Sequence, residues 1–520
     1  MRSSVTGSRA SLAQHGMWLT ERTGAGGGAA HHMPLAVHLE GPLDEDALRA
    51  ACAAVAARHP VLASALVEED GELHLVPGTA GPPFTVQDAA EDDMPAALDK
   101  EAARPFDLSA GPLVRFTLFR LEAKRHLLLV VAHHAAFDGM SKDLLLHDLA
   151  AAYGGSPLAA LETSYGEAAA AEHDRVAAKL EAAAEFWRSR WNDAGGLLLP
   201  GLRRVSLRAA PGDMVDLALG PELGSALGRA AERIGVTRFE LLLAAVHTLL
   251  HGYGNAPATV SVDVSTRTER TRDHVGAFVN ELPVTASPDG TFAAFARSVR
   301  DELRAAYRFR EVPVARALGG VSPRASLTPV SLSYRRRGEG PLFPGLGSRV
   351  EWTMSGNAVR GTLHLQAVEA PDGITAHLRF DPGCLDRSSC EVVAGHLTAL
   401  LRAVAALPGT PIAELPLPPR QRTAAAPEPV PTAGPASGSA AGGSRVVDEV
   451  VEIWREVLGM DDIGPDDDLF DLGGHSLSIT QIIAKVRDRM GVELSFEVFI
   501  DTPTAAGVAA DVDRLREEAC

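Results

Sequence analysis

His133-His134-Ala135-Ala136-Phe137-Asp138-Gly139 joins two segments of opposite character. Before it, the apolar run from His126 to Ala132 predicts a buried strand. After it, Ser141 to Leu149 reads as an amphipathic helix with Ser141 near its start. Two imidazoles, a carboxylate and a glycine therefore sit on a strand-to-helix turn. Neighbours in extended chain point to opposite sides, so one histidine at most faces a given cavity. Asp138 is close enough in sequence to brace the loop, and Gly139 permits a turn that a side chain obstructs. Taken alone, a double histidine also fits a pair of core or surface residues, and the rest of the chain has to decide.

The pattern His-His-x-x-x-Asp-Gly between strand and helix resembles the active-site signature of nonribosomal peptide synthetase condensation domains, within the chloramphenicol-acetyltransferase-like superfamily. Acyl-CoA-dependent acyltransferases and epimerisation domains share it. Ser11-Leu12-Ala13-Gln14, leading to Trp18, is similar to the first motif of that family, with Gly16 where a basic residue is usual. Arg58-His59-Pro60-Val61-Leu62 resembles a second, Arg-His-Glu-x-Leu-Arg, with Pro60 and Ala63 replacing charged residues. Val275-Gly276-Ala277-Phe278-Val279-Asn280-Glu281 is close to the motif Val-Gly-x-Phe-Val-Asn-Thr. The strand Thr259–Val264 ends in Ser265-Thr266-Arg267, where the resemblance implies an arginine paired with the signature aspartate. A buried carboxylate is costly unless paired, and a guanidinium can hold it bidentately.

The resemblance implies His134 as the catalytic residue, orienting or deprotonating an amine or stabilising the tetrahedral intermediate. It implies structural roles for His133, Asp138, Gly139 and Arg267, and tunnel-lining places for Asn280 and Ser333. No metal is implied.

A length of 520 residues suggests about three structural units at ~150 residues each. An apolar fraction of 46% with 22% charged residues belongs to a globular protein. No run of about 18 apolar residues predicts a membrane span, and Met1–Arg9 lacks the apolar core of a secretory signal. The four cysteines, Cys52, Cys384, Cys390 and Cys520, fit neither a disulfide framework nor a zinc site. The expectation is a cytoplasmic monomer. Alanine-rich sequence from Tyr165 to Trp191 predicts a long helix, with Trp187 and Trp191 on one face. Arg335-Arg336-Arg337 reads as solvated loop charge or as a docking patch for an acidic carrier.

From Arg420 to Ser444 the composition turns to Ala, Pro, Gly, Thr and Ser, a linker whose reach as a flexible 25-residue tether is about 25–30 Å. Beyond it, Val447, Val450, Trp454 and Leu458 share one helix face. An acidic loop then leads to Leu472-Gly473-Gly474-His475-Ser476-Leu477, opening a second helix through Ile479, Ile482, Ile483 and Val486. This resembles a peptidyl carrier domain at its attachment site, which implies 4'-phosphopantetheine on Ser476. A helix N-terminus, with free amides and a positive dipole end, favours a phosphodiester; a plain cap is the other reading of Ser476. From Arg445 onward, 18 acidic residues face 7 basic ones, a net of −11 out of −18 for the chain. The acidity therefore belongs to this module and suits a carrier meeting enzymes by complementary charge. It signals neither nucleic acid nor membrane.

The expected architecture is α/β: two acetyltransferase-like lobes forming a V-shaped pseudo-dimer, 1–180 and 181–420, then a 421–444 linker and an all-α four-helix-bundle carrier at 445–520. The implied reaction moves an acyl or peptidyl group from an upstream carrier thioester to the amine of an aminoacyl group on the chain's own arm. No adenylation domain lies between the units, so an adenylation enzyme acting in trans and a phosphopantetheinyl transferase are the expected partners, with the upstream carrier. Two alternatives stand: an acyltransferase using a soluble amine or alcohol with the carrier holding the donor, and a degenerate docking protein. An epimerisation domain normally follows its carrier, the reverse of the order here.

Overall fold

The computed structural model describes residues 7–22, 29–69, 72–191, 196–319, 324–352, 358–371 and 373–421, and in the C-terminal region 444–458, 460, 463–467, 469, 472, 476–492, 494 and 498–519. Most of the expected linker, 422–443, lies outside the described residues.

The apolar run before the signature turn forms the strand Arg125–His133, buried almost throughout. It is an inner strand of a five-stranded sheet ordered Gly347–Glu351, His32–Glu40, Arg125–His133, Val114–Glu122, Phe84–Asp88. Both faces are covered, which is why the run shows no polar alternation. On one face, Leu35, Val37, Leu128 and Val130 pack with helices Glu45–Arg58 and Gly139–Tyr153. On the other, Phe119, Leu127, Leu129 and Val131 form a smaller core with Met94. The edge strand Gly347–Glu351 comes from far along the chain and pairs antiparallel with Glu40–Ala36 over five residues.

A second sheet has six strands in the order Val279–Ala286, Ala258–Ser265, Val330–Arg336, Leu363–Ala370, Gly373–Phe380, Asp213–Leu217. Ala258–Ser265, Val330–Arg336 and Leu363–Ala370 run parallel, and the flanking pairs are antiparallel. Helix Arg387–Ala406 has the length and composition to cross a bilayer. It buries Val393, Leu397, Leu400, Leu401 and Val404 instead, as a core helix does. Helix Tyr165–Arg188 runs through residue 180, the position expected to divide the lobes.

The C-terminal region has its own core. Val450, Trp454, Ile479, Ile482, Val486, Phe499 and Val508 are buried together, with Val447, Leu458 and Ile483 packed around them. Its helices are Ser444–Leu458, Ser476–Met490, the single turn Val498–Asp501, and Ala505–Ala519. Cys52, Cys384 and Cys390 are free and buried; Cys520 lies outside the described residues.

Candidate active site

The strand ends at His133, a short 3-10 turn spans His134–Ala136, and Asp138 caps the helix that follows. Asp138 Oδ1 accepts from the Ser141 amide and hydroxyl, both at 2.8 Å. Arg267 Nη2 approaches Oδ1 and Oδ2 at 2.8 and 2.9 Å, and the Phe278 amide donates to Oδ2 at 3.1 Å. The contact to Asp138 thus uses one terminal nitrogen rather than a two-nitrogen fork. Arg267 Nη1 is committed elsewhere, to the carbonyls of Thr271 and His274 at 2.9 and 2.5 Å. The guanidinium lies over the Phe278 ring at 4.6 Å. Arg267 and Asp138 side chains are each only 5% exposed, so the pair is a buried one.

The other short motifs gather around the turn, the helix after it and the segment Val275–Phe278. Gln14 Nε2 donates to the Ala135 carbonyl at 3.0 Å. Ser11 Oγ lies 3.1 Å from the Tyr165 hydroxyl, which donates to the Ala277 carbonyl. Arg58 pairs with Asp148, and His59 Nε2 lies 2.8 Å from the same carboxylate. The histidine's other nitrogen accepts from the Val275 amide at 3.3 Å.

His133 is buried, and its Nδ1 accepts from the Ala135 amide at 3.1 Å. The proton of the neutral ring must then sit on Nε2, which lies 3.7 Å from Glu21 Oε1. His31 Nδ1 approaches the same oxygen at 2.7 Å. The three groups are close enough to suggest a metal centre. A metal at His133 Nε2 would need that nitrogen unprotonated while Nδ1 accepts a hydrogen bond, which only an imidazolate can do, so a hydrogen-bonded carboxylate is the better account. Burial opposes ionisation of Glu21, but hydrogen bonds from His133 and His31 outweigh it and hold the carboxyl well below its usual range. Glu21 therefore clamps both sides of the turn, since the His31 carbonyl also accepts from the His134 amide at 2.7 Å.

His134 points the other way, into a cavity of about 430 Å³ bounded by residues from both sheets. Burial, with Arg360 and His31 adding, pushes its imidazole down to about 4. The ring is neutral at physiological pH, as a proton acceptor must be.

Ser333 bounds this cavity, its Oγ 2.9 Å from His364 Nε2. Ser331 Oγ meets the ring's other nitrogen at 2.8 Å. Val279, not Asn280, is on the cavity wall. Neighbours on a strand face opposite sides, and the Asn280 amide is engaged by the Arg310 carbonyl at 2.9 Å. Asn280 thus acts on a loop rather than on the cavity. Gly139 does not adopt a left-handed backbone. A Cβ there would come within 3.3 Å of Arg335 Cδ, so close approach is what favours glycine. Arg335 is no solvated loop charge: it donates to the Gly139 carbonyl at 2.6 Å and to Asp143 at 2.8 Å. Arg336, 78% exposed, is the outward member of the run.

Ser476 begins the helix Ser476–Met490; its side chain and Gly473–His475 lie outside the described residues. A residue at that backbone position, ahead of free helical amides, fits a phosphodiester attachment.

Sequence reading passed over Glu21, Lys142, Arg360, His364 and Arg379, and took Arg335 for solvated loop charge or a docking patch. For His364 a signal was available, a polar residue between apolar neighbours in a strand, Leu363-His364-Leu365.

The buried imidazoles carry a pH dependence. Burial lowers His32, His134 and His364 to about 4 and His247 to about 3, against 6.5 when unfolded. The unfolded chain binds protons that the folded one refuses. Their contribution is therefore complete above pH 6.5 and lost as pH falls toward 4. Tm measured from pH 7.5 downward should drop through this window; a flat Tm there would contradict the burial of these rings.

Residues 8–327 match the family model described as condensation domain, and residues 448–512 match the phosphopantetheine attachment site. Tyrocidine synthase 3 of Brevibacillus parabrevis is 29% identical over 426 residues, covering 78% of this chain and 6% of that protein. Malpinin synthetase of Mortierella alpina is 28% identical, again over 78% of this chain and 6% of the relative. The chain thus spans a small fraction of the curated relatives it matches. Among solved structures, the X-domain from teicoplanin biosynthesis superposes with a TM-score of 0.69 at 26% identity, over 80% of this chain and 98% of the other. The first condensation domain of the calcium-dependent antibiotic synthetase shares the fold, with a TM-score of 0.67 at 22% identity over 79% and 99%.

Proposed function

This chain belongs to the condensation-domain family, and from that premise we propose that it joins a donor acyl group, delivered as a thioester on an upstream carrier, to the amine of an aminoacyl group held on its own carrier. The observation that carries the reading is the neutral imidazole of His134, turned into a cavity that both sheets bound. The arm attached at Ser476, when present, supplies the thiol that presents the aminoacyl group. His134 orients the attacking amine and accepts its proton as the new bond forms. His133 and Glu21 fix the turn, Asp138 and Arg267 hold the helix that follows, and Ser333 with His364 gives the cavity a polar wall. The carbonyl is already activated as a thioester, so positioning does much of the remaining work. In this reading 1–180 and 181–420 are the two lobes, 421–444 is the tether and 445–520 the carrier.

The test is reconstitution with a phosphopantetheinyl transferase, an adenylation enzyme supplied separately and a loaded donor carrier, followed by intact-protein mass spectrometry. The wild-type chain should gain the arm, then the amino acid, then the donor group. Ser476→Ala should gain none of them; an arm on that variant sends the attachment elsewhere. Faster turnover with a free amine than with the carrier-bound one would favour a soluble acceptor. The likeness to an X-domain, which has also been solved in complex with OxyB, favours a second reading as a docking domain. Intact His134, Asp138 and Arg267 weigh against it.

A further inference from the structure

The cavity beside His134 is more cationic than joining a neutral amine to a neutral acyl group requires. Lys142, Arg335, Arg336, Arg360 and Arg379 all bound it, and Arg336 pairs with Glu369 at 3.3 Å. Arg335 is paired with Asp143 at 2.8 Å and Arg360 with Asp263 at 3.3 Å. Lys142 differs. Its Nζ donates to the carbonyls of Pro34 and Trp352, each at 3.0 Å. Those two contacts use two of three ammonium protons, both on neutral oxygens. The neighbouring carboxylate, Asp143, is taken by Arg335, and no carboxylate lies within 4.0 Å of Lys142 Nζ among the described residues. Burial, reinforced by Arg335 and Arg379, pushes the ammonium down to about 7. A half-buried charge without a counter-ion is costly, and an apolar side chain of similar length avoids the cost. In the protonated form the third ammonium proton of Lys142 is left for an acceptor that enters with the ligand.

We propose that an acyl group filling this cavity carries a carboxylate that pairs with Lys142, as the half-thioester of a diacid or an acidic aminoacyl group would. The proposal rests on the reading of the cavity as the site of acyl transfer. The phosphodiester of a carrier arm is the other anion at hand, but it lies at the opposite end of the arm from the thioester. A thioester beside His134 keeps that phosphate away from Lys142.

The probes are S-succinyl- and S-butyryl-N-acetylcysteamine, which share chain length, lack phosphate and differ in one carboxylate. Calorimetry on the wild-type chain below about pH 7, where Lys142 is protonated, should show about tenfold tighter binding of the succinyl compound, the worth of one charge-assisted hydrogen bond. Lys142→Met, checked for folding by circular dichroism, should bring the two affinities together. Equal affinity in the wild type overturns the proposal without recourse to any variant, and so does a preference that survives in a folded Lys142→Met. Turnover with an amine acceptor is followed in parallel. Turnover of both probes with equal affinity leaves acyl transfer standing and removes only the carboxylate. Succinyl preference without turnover of either probe sinks the underlying acyl-transfer reading, and the proposal with it.

Discussion

Arg267→Met is expected to destabilise the protein by about 3–5 kcal/mol, the cost of removing one partner from a buried ion pair. The magnitude follows from what stays behind. Asp138 keeps its Ser141 and Phe278 donors but loses the only cation touching it among the described residues. The His274 carbonyl loses its Arg267 donor, and the Thr271 carbonyl keeps only the His274 amide. Asp138→Ala strips the same pair from the other side and also removes the cap of helix Gly139–Tyr153, worth about 1 kcal/mol by itself. The double variant should cost less than the two single ones added, because each single change leaves an unpaired charge. Urea denaturation of the three variants measures this. A loss below about 1 kcal/mol for Arg267→Met would make the pair a solvated one, contrary to its 5% exposure.

His134→Ala should behave in the opposite way. Removing a general base from acyl transfer lowers the rate by about 10²–10⁴-fold. Stability at neutral pH should hardly move, since the ring faces a cavity, makes no side-chain hydrogen bond among the described residues and meets only the edge of His31. Acid stability should rise slightly, because a ring held near pKa 4 against 6.5 unfolded is a liability below pH 6.5. Single-turnover condensation, with pre-loaded carriers and rapid quench, isolates the chemical step. A variant that retains rate within threefold would leave His134 as a spectator. The two experiments together separate a residue that holds the turn from one that acts on substrate.

Much of the fold was legible because its signals are local. The strand Arg125–His133, the helix after it and the alanine-rich helix Tyr165–Arg188 each announce themselves locally, by apolar pattern, helix start or composition. The pairing of Asp138 with Arg267 has no local signal; it came from the resemblance, carried residue by residue across 129 positions. Asn280 shows the limit of that transfer. A motif names a strand segment, whereas the pleat decides which neighbour meets the cavity, and here Val279 does. Arg335 was obscured by its company, because three arginines in a row look like solvent charge until alternation turns one of them inward. Glu21, Lys142, Arg360 and Arg379 lacked any pattern of their own, since a cavity assembled from distant strands leaves no spacing to count.

The strand Gly347–Glu351 bears on how the molecule is made. It completes the sheet that holds the signature turn, pairing with residues 36–40 more than three hundred positions earlier. During synthesis, the first half of the chain leaves the ribosome with the outer side of His32–Glu40 open, and that edge is closed only after residue 351 has emerged. Until then it is a template for unwanted strand addition, so a truncated chain ending before residue 347 should aggregate where a longer one does not.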